Sequence, residues 1–149
     1  MGARVGRFPD WEYRLGCFLE RVKDRPRVLS YPHIKDSDWD CGKFVCQAIL
    51  HMTGREVSVW VHCYSNWRTL AKLMGDAFEF DLYVKEKMGQ ADFKEIPVEE
   101  SSKGDALVVK EDNGRRSLAI RIDNHAVAPG VRGLEFAPIE NAIVAYKVE

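Results

Sequence analysis

The most informative stretch of the chain is Trp39-Asp40-Cys41-Gly42-Lys43-Phe44-Val45, which joins a helix-capping residue to a cysteine. Aspartate is a favoured N-cap residue, and apolar residues follow it at helical spacing as far as Met52. The pattern predicts a helix that starts at Cys41 with Asp40 as its cap. Free backbone N–H groups and the helix dipole stabilise an anion in a first turn. We therefore expect the Cys41 thiol to ionise readily and treat it as a candidate nucleophile.

The length and charge of the chain restrict its class. The 149 residues suffice for one domain with a core and are too few for two ordinary domains. Lys plus Arg number 22 and Asp plus Glu number 23, so the overall charge does not favour nucleic acid as a partner. The apolar runs are shorter than the roughly 20 residues of a membrane-spanning helix. The N-terminus does not resemble a secretory signal, so we expect synthesis in the cytoplasm.

The four cysteines form no Cys-x-x-Cys pair, and we expect them to remain free thiols in a reducing compartment. Cys17 and Cys46 fall beside apolar helical stripes and are expected to be buried as small hydrophobic residues. His62 and Cys63 are adjacent, but two neighbouring residues do not make a metal site on their own. We expect no metal and no other cofactor.

The hydrophobic periodicity changes along the chain from helical to alternating. Helices are predicted over 11–22, 41–52, 65–75 and 78–88, each ended by a Gly, a Pro or a polar loop. Strands are predicted over 93–98, 105–110, 117–122, 125–128, 133–136 and 142–148, with an Asn113-Gly114 turn that favours a hairpin. Helices followed by an antiparallel meander indicate an α+β fold with the helices packed on one face of the sheet. We expect a single domain spanning residues 1–149.

Three elements in this order resemble the NlpC-type papain-like peptidases. In that family an Asp-Cys pair opens the nucleophile helix, as Asp40-Cys41 does here. A Gly-Asp strand follows, matched by Gly104-Asp105, and the next strand carries the histidine base in the region of residues 117–120. The resemblance implies a papain-like fold and, for an active member, cysteine-peptidase chemistry.

Further motifs resemble a subgroup of that family found among tail proteins of long-tailed bacteriophages and gene transfer particles. The matching segments are Arg7-Phe8-x-x-Trp11-x-x-Arg14-Leu15, Met52-Thr53-Gly54, Gly133-Leu134 and Ala145-Tyr146-Lys147-Val148. This resemblance implies a virion protein of the tail tip. It also implies contacts with other tail-tip proteins of the hub, distal-tail and central-fibre types.

Two departures from the family pattern affect the chemistry. Ser117 stands where the histidine base is expected, and Ala128 lies close to the position of the residue that orients it. A serine hydroxyl cannot accept and return a proton near neutral pH as an imidazole does. The candidate bases that remain are His125, near the turn after the Ser117 strand, and His33, in the loop before the Cys41 helix.

We favour a structural tail-tip component with a catalytically degenerate peptidase fold. The alternatives are an active endopeptidase that cleaves peptidoglycan during cell entry, and a cytoplasmic thiol enzyme unrelated to phage. The N-terminal arm, about residues 1–8, offers only Val5 and Phe8 as apolar anchors. Because ordering it costs about 1 kcal/mol or more per residue, we expect it to pack on another protein chain. Deleting residues 1–7 should then leave the thermal midpoint of the isolated domain almost unchanged.

Overall fold

The computed structural model describes residues 6–30, 35, 37–57 and 77–149. Within these residues, helices precede strands in chain order, as the sequence predicts. The helices are α1 (Trp11–Val22), α2 (Cys41–Thr53) and α3 (Ala77–Gln90), and the strands are β1 (Glu95–Ile96), β2 (Ala106–Lys110), β3 (Arg116–Ile122), β4 (His125–Pro129), β5 (Leu134–Pro138) and β6 (Ala142–Tyr146). The helix predicted over 65–75 lies outside the described residues.

The strands form one antiparallel sheet in the order β1-β6-β2-β3-β4-β5. The predicted Asn-Gly hairpin joins β2 to β3, with Val109 opposite Ser117. Two further hairpins carry the chain from β3 through β4 to β5. The C-terminal strand β6 returns to the other side of β2, so β2 is a central strand. Central strands bury both faces, which explains why residues 106–109 are apolar without alternation.

Helix α2 lies at the centre of the core. Its side chains Phe44, Val45, Ile49 and Met52 are completely buried. They share one hydrophobic cluster with the buried stripe of α1 and with one face of the sheet. The α1 contribution is Leu15, Phe18 and Val22, and the sheet contributes Ala106, Val108, Leu118, Ile120, Val127 and Tyr146. Helices therefore cover one face of an antiparallel sheet, and the predicted α+β fold class is confirmed.

The predicted ends of α2 are confirmed. The Asp40 side chain accepts a hydrogen bond of 2.8 Å from the Lys43 N–H, which satisfies one free donor of the first turn. At the other end Gly54 is left-handed, with φ of 74°, and its N–H donates to the Leu50 carbonyl. The prediction for the other thiols holds only in part. Cys46 is buried, whereas Cys17 is exposed on α1 because it lies beside the buried stripe rather than within it.

The end of the N-terminal arm packs on its own domain, so the expectation for the arm is wrong at Arg7 and Phe8. The expected stability of a chain that lacks residues 1–7 is wrong for the same reason, because the deletion removes Arg7. The Arg7 guanidinium contacts Asp105 at 2.8 Å and donates to the carbonyls of Lys103 and Val148 at 2.7 Å each. Burial lowers the pKa of Arg7 from its ordinary value, and Asp105 opposes that effect. The sequence could not reveal this contact, because it joins residues 98 positions apart. Residues 1–5 lie outside the described part of the chain.

Asp105 receives hydrogen bonds from several segments. Besides Arg7, the N–H groups of Ser102 and Val148 donate to its carboxylate at 2.9 and 3.1 Å. Its side chain is 2% exposed, so the charge is stabilised by these donors and not by water. The same segment of the arm is held at Phe8, whose N–H donates to the Met52 carbonyl at 2.8 Å. The arm, the start of β2, the C-terminus and the end of α2 therefore meet at one place.

Replacing Arg7 with alanine should destabilise the domain. The substitution leaves the Asp105 carboxylate buried without its cation, and breaking a buried ion pair in this way costs about 3 kcal/mol. Urea unfolding should show the lower free energy of unfolding. Arg132→Ala, at an exposed position, is the matched control and should change stability by less than about 0.5 kcal/mol. Equal stability of Arg7→Ala and wild type would contradict the role assigned to this pair.

Replacing Asp40 with alanine tests the cap of α2. The loss of the hydrogen bond to the Lys43 N–H should lower the free energy of unfolding by about 1 kcal/mol. Asp40→Ser keeps a capping oxygen and should recover most of that stability. If the serine variant is no more stable than the alanine variant, the cap is not what stabilises the start of this helix.

Candidate active site

Cys41 occupies the first position of α2, as predicted from the cap and the apolar spacing. Its side chain is partly buried and lines a cavity of about 560 Å³. The helix that carries it is packed on both sides, by α1 and by the sheet. The cysteine is therefore mounted on a rigid element and is open to a space large enough for a small ligand.

The sheet meets Cys41 where β3 and β4 stop pairing. The Arg121 N–H bonds to Asp105 on the β2 side, so the alternating N–H groups of Ile120 and Leu118 point towards β4. The β3–β4 pairing ends at Ile120 opposite Val127, before it reaches Leu118. The Leu118 N–H donates instead to the Cys41 sulfur. The thiol therefore lies where the hydrogen bonding between β3 and β4 ends.

The environment of the Cys41 thiol raises its pKa, which contradicts the expectation that this thiol ionises readily. Burial raises the pKa of the Cys41 thiol to about 12, and the negative charge of Asp40 adds to the effect. The Leu118 N–H and the Arg27 guanidinium oppose that rise but do not cancel it. The helix dipole, from which a low pKa was expected, is only one of the influences on this thiol. Desolvation of the thiolate, which depends on tertiary packing, is the larger effect.

Ser117 lies beside Cys41, at the position predicted for the missing base. It is the second residue of β3, it precedes Leu118, and it lines the same cavity as Cys41. Ala128 of β4, predicted to lie near the position of the orienting residue, also lines this cavity. The three positions that the family resemblance matches to nucleophile, base and orienting residue therefore line one cavity. They carry a cysteine, a serine and an alanine.

His125, one of the two candidate bases, is at the wrong end of β3. It pairs with Ile122, whereas Cys41 contacts Leu118, four residues away or roughly 13 Å along the strand. The side chain is exposed, and its ring contacts Phe136 edge to face with centroids 6.2 Å apart. The hairpin register therefore rules out His125 as the base for Cys41 in this conformation. His33, the other candidate, lies outside the described residues.

His51 is also distant from Cys41. It lies ten positions later in α2, which corresponds to about 15 Å along a helix, and its ring stacks on Phe18. Neither described histidine thus reaches the thiol. The remaining two, His33 and His62, are outside the part of the chain that the structure describes.

The cavity beside Cys41 has an apolar floor and a charged rim. The floor consists of small side chains from three strands, namely Ala119, Ala126, Ala128 and Ala137. Arg27 and Arg115 contribute positive charge to the rim, and Glu111 and Glu135 contribute negative charge. Apart from Ala128, the sequence analysis did not identify these residues, because they come from separate loops and strands and form no motif.

The described residues contain no group of three or more side chains that could hold a metal ion. Among the described helices, none has both the length and the apolar character needed to span a bilayer. The side chains of the candidate site that carry reactive or charged groups are the Cys41 thiol, the Ser117 hydroxyl and the charged residues of the rim.

A solved structure with a similar fold is the crystal structure of the NlpC/p60 domain of the peptidoglycan hydrolase SagA. The alignment covers 91% of this chain and 97% of that domain, with a TM-score of 0.53 and 16% sequence identity. At this identity the similarity shows the fold, and it confirms the papain-like architecture implied by the Asp40-Cys41 and Gly104-Asp105 motifs. No curated protein sequence shows significant similarity to the chain.

A protein family described as a domain of unknown function, DUF6950, matches residues 6–148. The match extends from the residue before Arg7 to Val148, and so includes both ends of the Asp105 network as well as Cys41. The chain belongs to the DUF6950 family and has an NlpC/p60-like fold.

Proposed function

We propose that this protein is a structural or assembly component of a bacteriophage tail tip, in which an NlpC/p60-like fold is kept without peptidase activity. The observation that carries the catalytic part of the proposal is the environment of Cys41. The thiol faces the Leu118 N–H, and Ser117, which the resemblance matches to the position of the base, lines the same cavity.

Thiol-dependent hydrolysis requires a thiolate and a group that transfers protons. With a pKa of about 12, the fraction of Cys41 ionised at pH 7 is on the order of 10⁻⁵. Ser117 cannot increase that fraction, because its hydroxyl does not take up a proton near neutral pH. Cys-His pairing normally provides both functions at once, and neither is available from the described side chains around the cavity.

The tail-tip role is supported by the resemblance of four segments, from Arg7 to Val148, to the tail-protein subgroup. Arg7 and Phe8 of the first segment contact Asp105 and Met52 within the same domain. These contacts stabilise the fold itself, so the tail role is supported by the resemblance and not by the packing of the arm. The partners in this proposal are tail-tip proteins of the hub, distal-tail and central-fibre types, and the location is the virion.

A second candidate is an active cysteine endopeptidase that cleaves peptidoglycan during entry. The capped helix and the cavity that opens onto Cys41 favour it, since both are features that such an enzyme needs. The structural neighbour is a domain of SagA, which is a peptidoglycan hydrolase. This candidate requires a base from outside the described residues, and His33 is the residue that the sequence analysis offers.

The two candidates differ in their action on cell walls. We expect purified protein to release no more peptide from peptidoglycan than the Cys41→Ala variant, because the pKa of the thiol is about 12 and no described side chain around the cavity can act as its base. Chromatography of the soluble products measures this release. Hydrolysis that is lost in Cys41→Ala would establish the endopeptidase instead, and its loss in His33→Ala as well would identify the base.

Restoring a base tests whether Ser117 accounts for the inactivity. We expect Ser117→His to release peptides from peptidoglycan at a measurable rate, because an imidazole at that position lies beside Cys41. Ser117→Gln introduces a polar side chain of similar length without a base and is expected to stay inactive. If the glutamine variant gains as much activity as the histidine variant, the base does not explain the effect.

The tail role is tested in particles. Removing the gene should prevent formation of complete tails, and supplying either the wild-type protein or Cys41→Ala should restore them equally. Electron microscopy of the particles gives the count of complete tails. Normal tails without the protein would contradict the proposed role.

A further inference from the structure

A second cavity, of about 520 Å³, lies between the C-terminal half of α1 and α2. It is separate from the Cys41 cavity, and among the described residues the two have no lining side chain in common. Buried side chains form an apolar and partly aromatic floor, namely Phe18, Val22, Trp39, Cys46 and Val57. The rim is polar and contains Arg21, Arg25, Lys43, Gln47, His51 and Glu56. A volume of this size suits a small organic molecule.

Arg21 is held at the rim by a neutral partner. Its Nη2 lies 3.2 Å from His51 Nε2. A guanidinium can only donate, so Nε2 accepts and the imidazole is the neutral form with its proton on Nδ1. Burial lowers the pKa of His51, and the charges of Arg21 and Arg14 lower it further. The positive charge of Arg21 is therefore oriented by a neutral group, and no anion of the described residues pairs with it.

Arg25 is also held by a neutral partner. Its guanidinium carbon lies 4.2 Å from the centre of the Trp39 ring, and Nη2 makes a long contact of 3.4 Å with the Ser37 carbonyl. Stacking on an indole fixes the plane of a guanidinium and leaves most of its N–H donors available. In the described part of the chain neither Arg25 nor Arg21 forms an ion pair.

The two carboxylates that line this cavity do not balance these charges. Asp38 is buried and directs its oxygens to the N–H groups of Ser30 and Lys35 and to the Ser30 hydroxyl, at 2.6 to 2.8 Å. Glu56 is exposed and forms no ion pair with a described residue. Two exposed guanidiniums are thus each held by a neutral group beside an apolar cavity, and no carboxylate of the described residues is bound to either.

We propose that the cavity between α1 and α2 binds a small organic anion, in which a carboxylate or phosphate group is attached to an apolar body. Arg21 and Arg25 bind the anionic group, and the apolar body packs on Trp39 and Phe18. Both cations are already oriented by His51 and the Trp39 ring, so less side-chain entropy is lost on binding. The inference does not depend on Cys41 or on the proposed tail role.

Binding is tested with three probes on the full chain. 3-Phenylpropionate and phenyl phosphate carry an apolar body and a charge, and 3-phenylpropanol carries the body alone. We expect saturable binding of at least one anion by calorimetric titration, and affinity at least about tenfold lower for the alcohol. Binding of the alcohol as tightly as both anions, or no binding of any probe, would overturn the proposal.

Variants locate the site. Arg21→Gln and Arg25→Gln should each weaken binding of the anion by about tenfold, whereas Arg132→Gln removes an exposed arginine elsewhere and should change it less than about twofold. Thermal unfolding checks that each variant is folded, and Arg25→Lys, which keeps the charge, should retain part of the affinity. Equal loss in all three glutamine variants would mean that the anion responds to overall charge and that the cavity is not its site.

His51 provides a readout that does not depend on affinity. An anion bound at Arg21 offsets the charge that lowers the pKa of His51, so that pKa should rise when the probe is saturating. NMR titration of the His51 imidazole measures this pKa, with the exposed His125 ring as internal control. An unchanged His51 pKa in the presence of saturating anion would place the probe elsewhere and contradict the proposal.

Discussion

The buried ion pair between Arg7 and Asp105 connects the parts of this fold that are farthest apart in sequence. Through Arg7 the N-terminal arm reaches the Val148 and Lys103 carbonyls, and through Asp105 the start of β2 is joined to the C-terminus. The pair is shielded from water, so its geometry constrains all of these segments together. The family match from residue 6 to residue 148 covers the segments that the ion pair joins.

Helix α2 links that network to the candidate site. Its C-terminal end receives the Phe8 N–H at Met52, and its N-terminal end places Cys41 in the gap between β3 and β4. The packing that holds the helix so firmly also removes water from the thiol. In an active enzyme of this kind a neighbouring imidazolium would compensate for that desolvation. In this chain Ser117 lines the cavity with Cys41, and burial raises the pKa of the thiol to about 12.

Local features of the sequence predicted local structure well. The Asp40 cap, the Gly54 end and the Asn-Gly hairpin depend on a few adjacent residues, and each is present. In an antiparallel pair the turn determines every partner that follows, so the hairpin pairs Ser117 with Val109. At that position Ser117 lines the same cavity as Cys41. The same register excluded His125.

Properties that depend on distant segments could not be predicted in this way. The pKa of Cys41 depends on burial beneath the sheet and on the Leu118 N–H, and neither is encoded near position 41. The contact between Arg7 and Asp105 could not be predicted, because the position of Asp105 in the fold is not evident from the sequence. The rim of the Cys41 cavity combines side chains such as Arg27 and Glu135, which become neighbours only after folding.

We propose that Cys41 is not an activated nucleophile. The most direct test is the rate of Cys41 alkylation by iodoacetamide as a function of pH, with mass spectrometry resolving this cysteine from exposed Cys17. We predict a rate that is low at pH 7 and keeps rising up to the limit of protein stability, because the pKa is about 12. A rate that levels off below about pH 8 would show an activated thiolate and contradict the account.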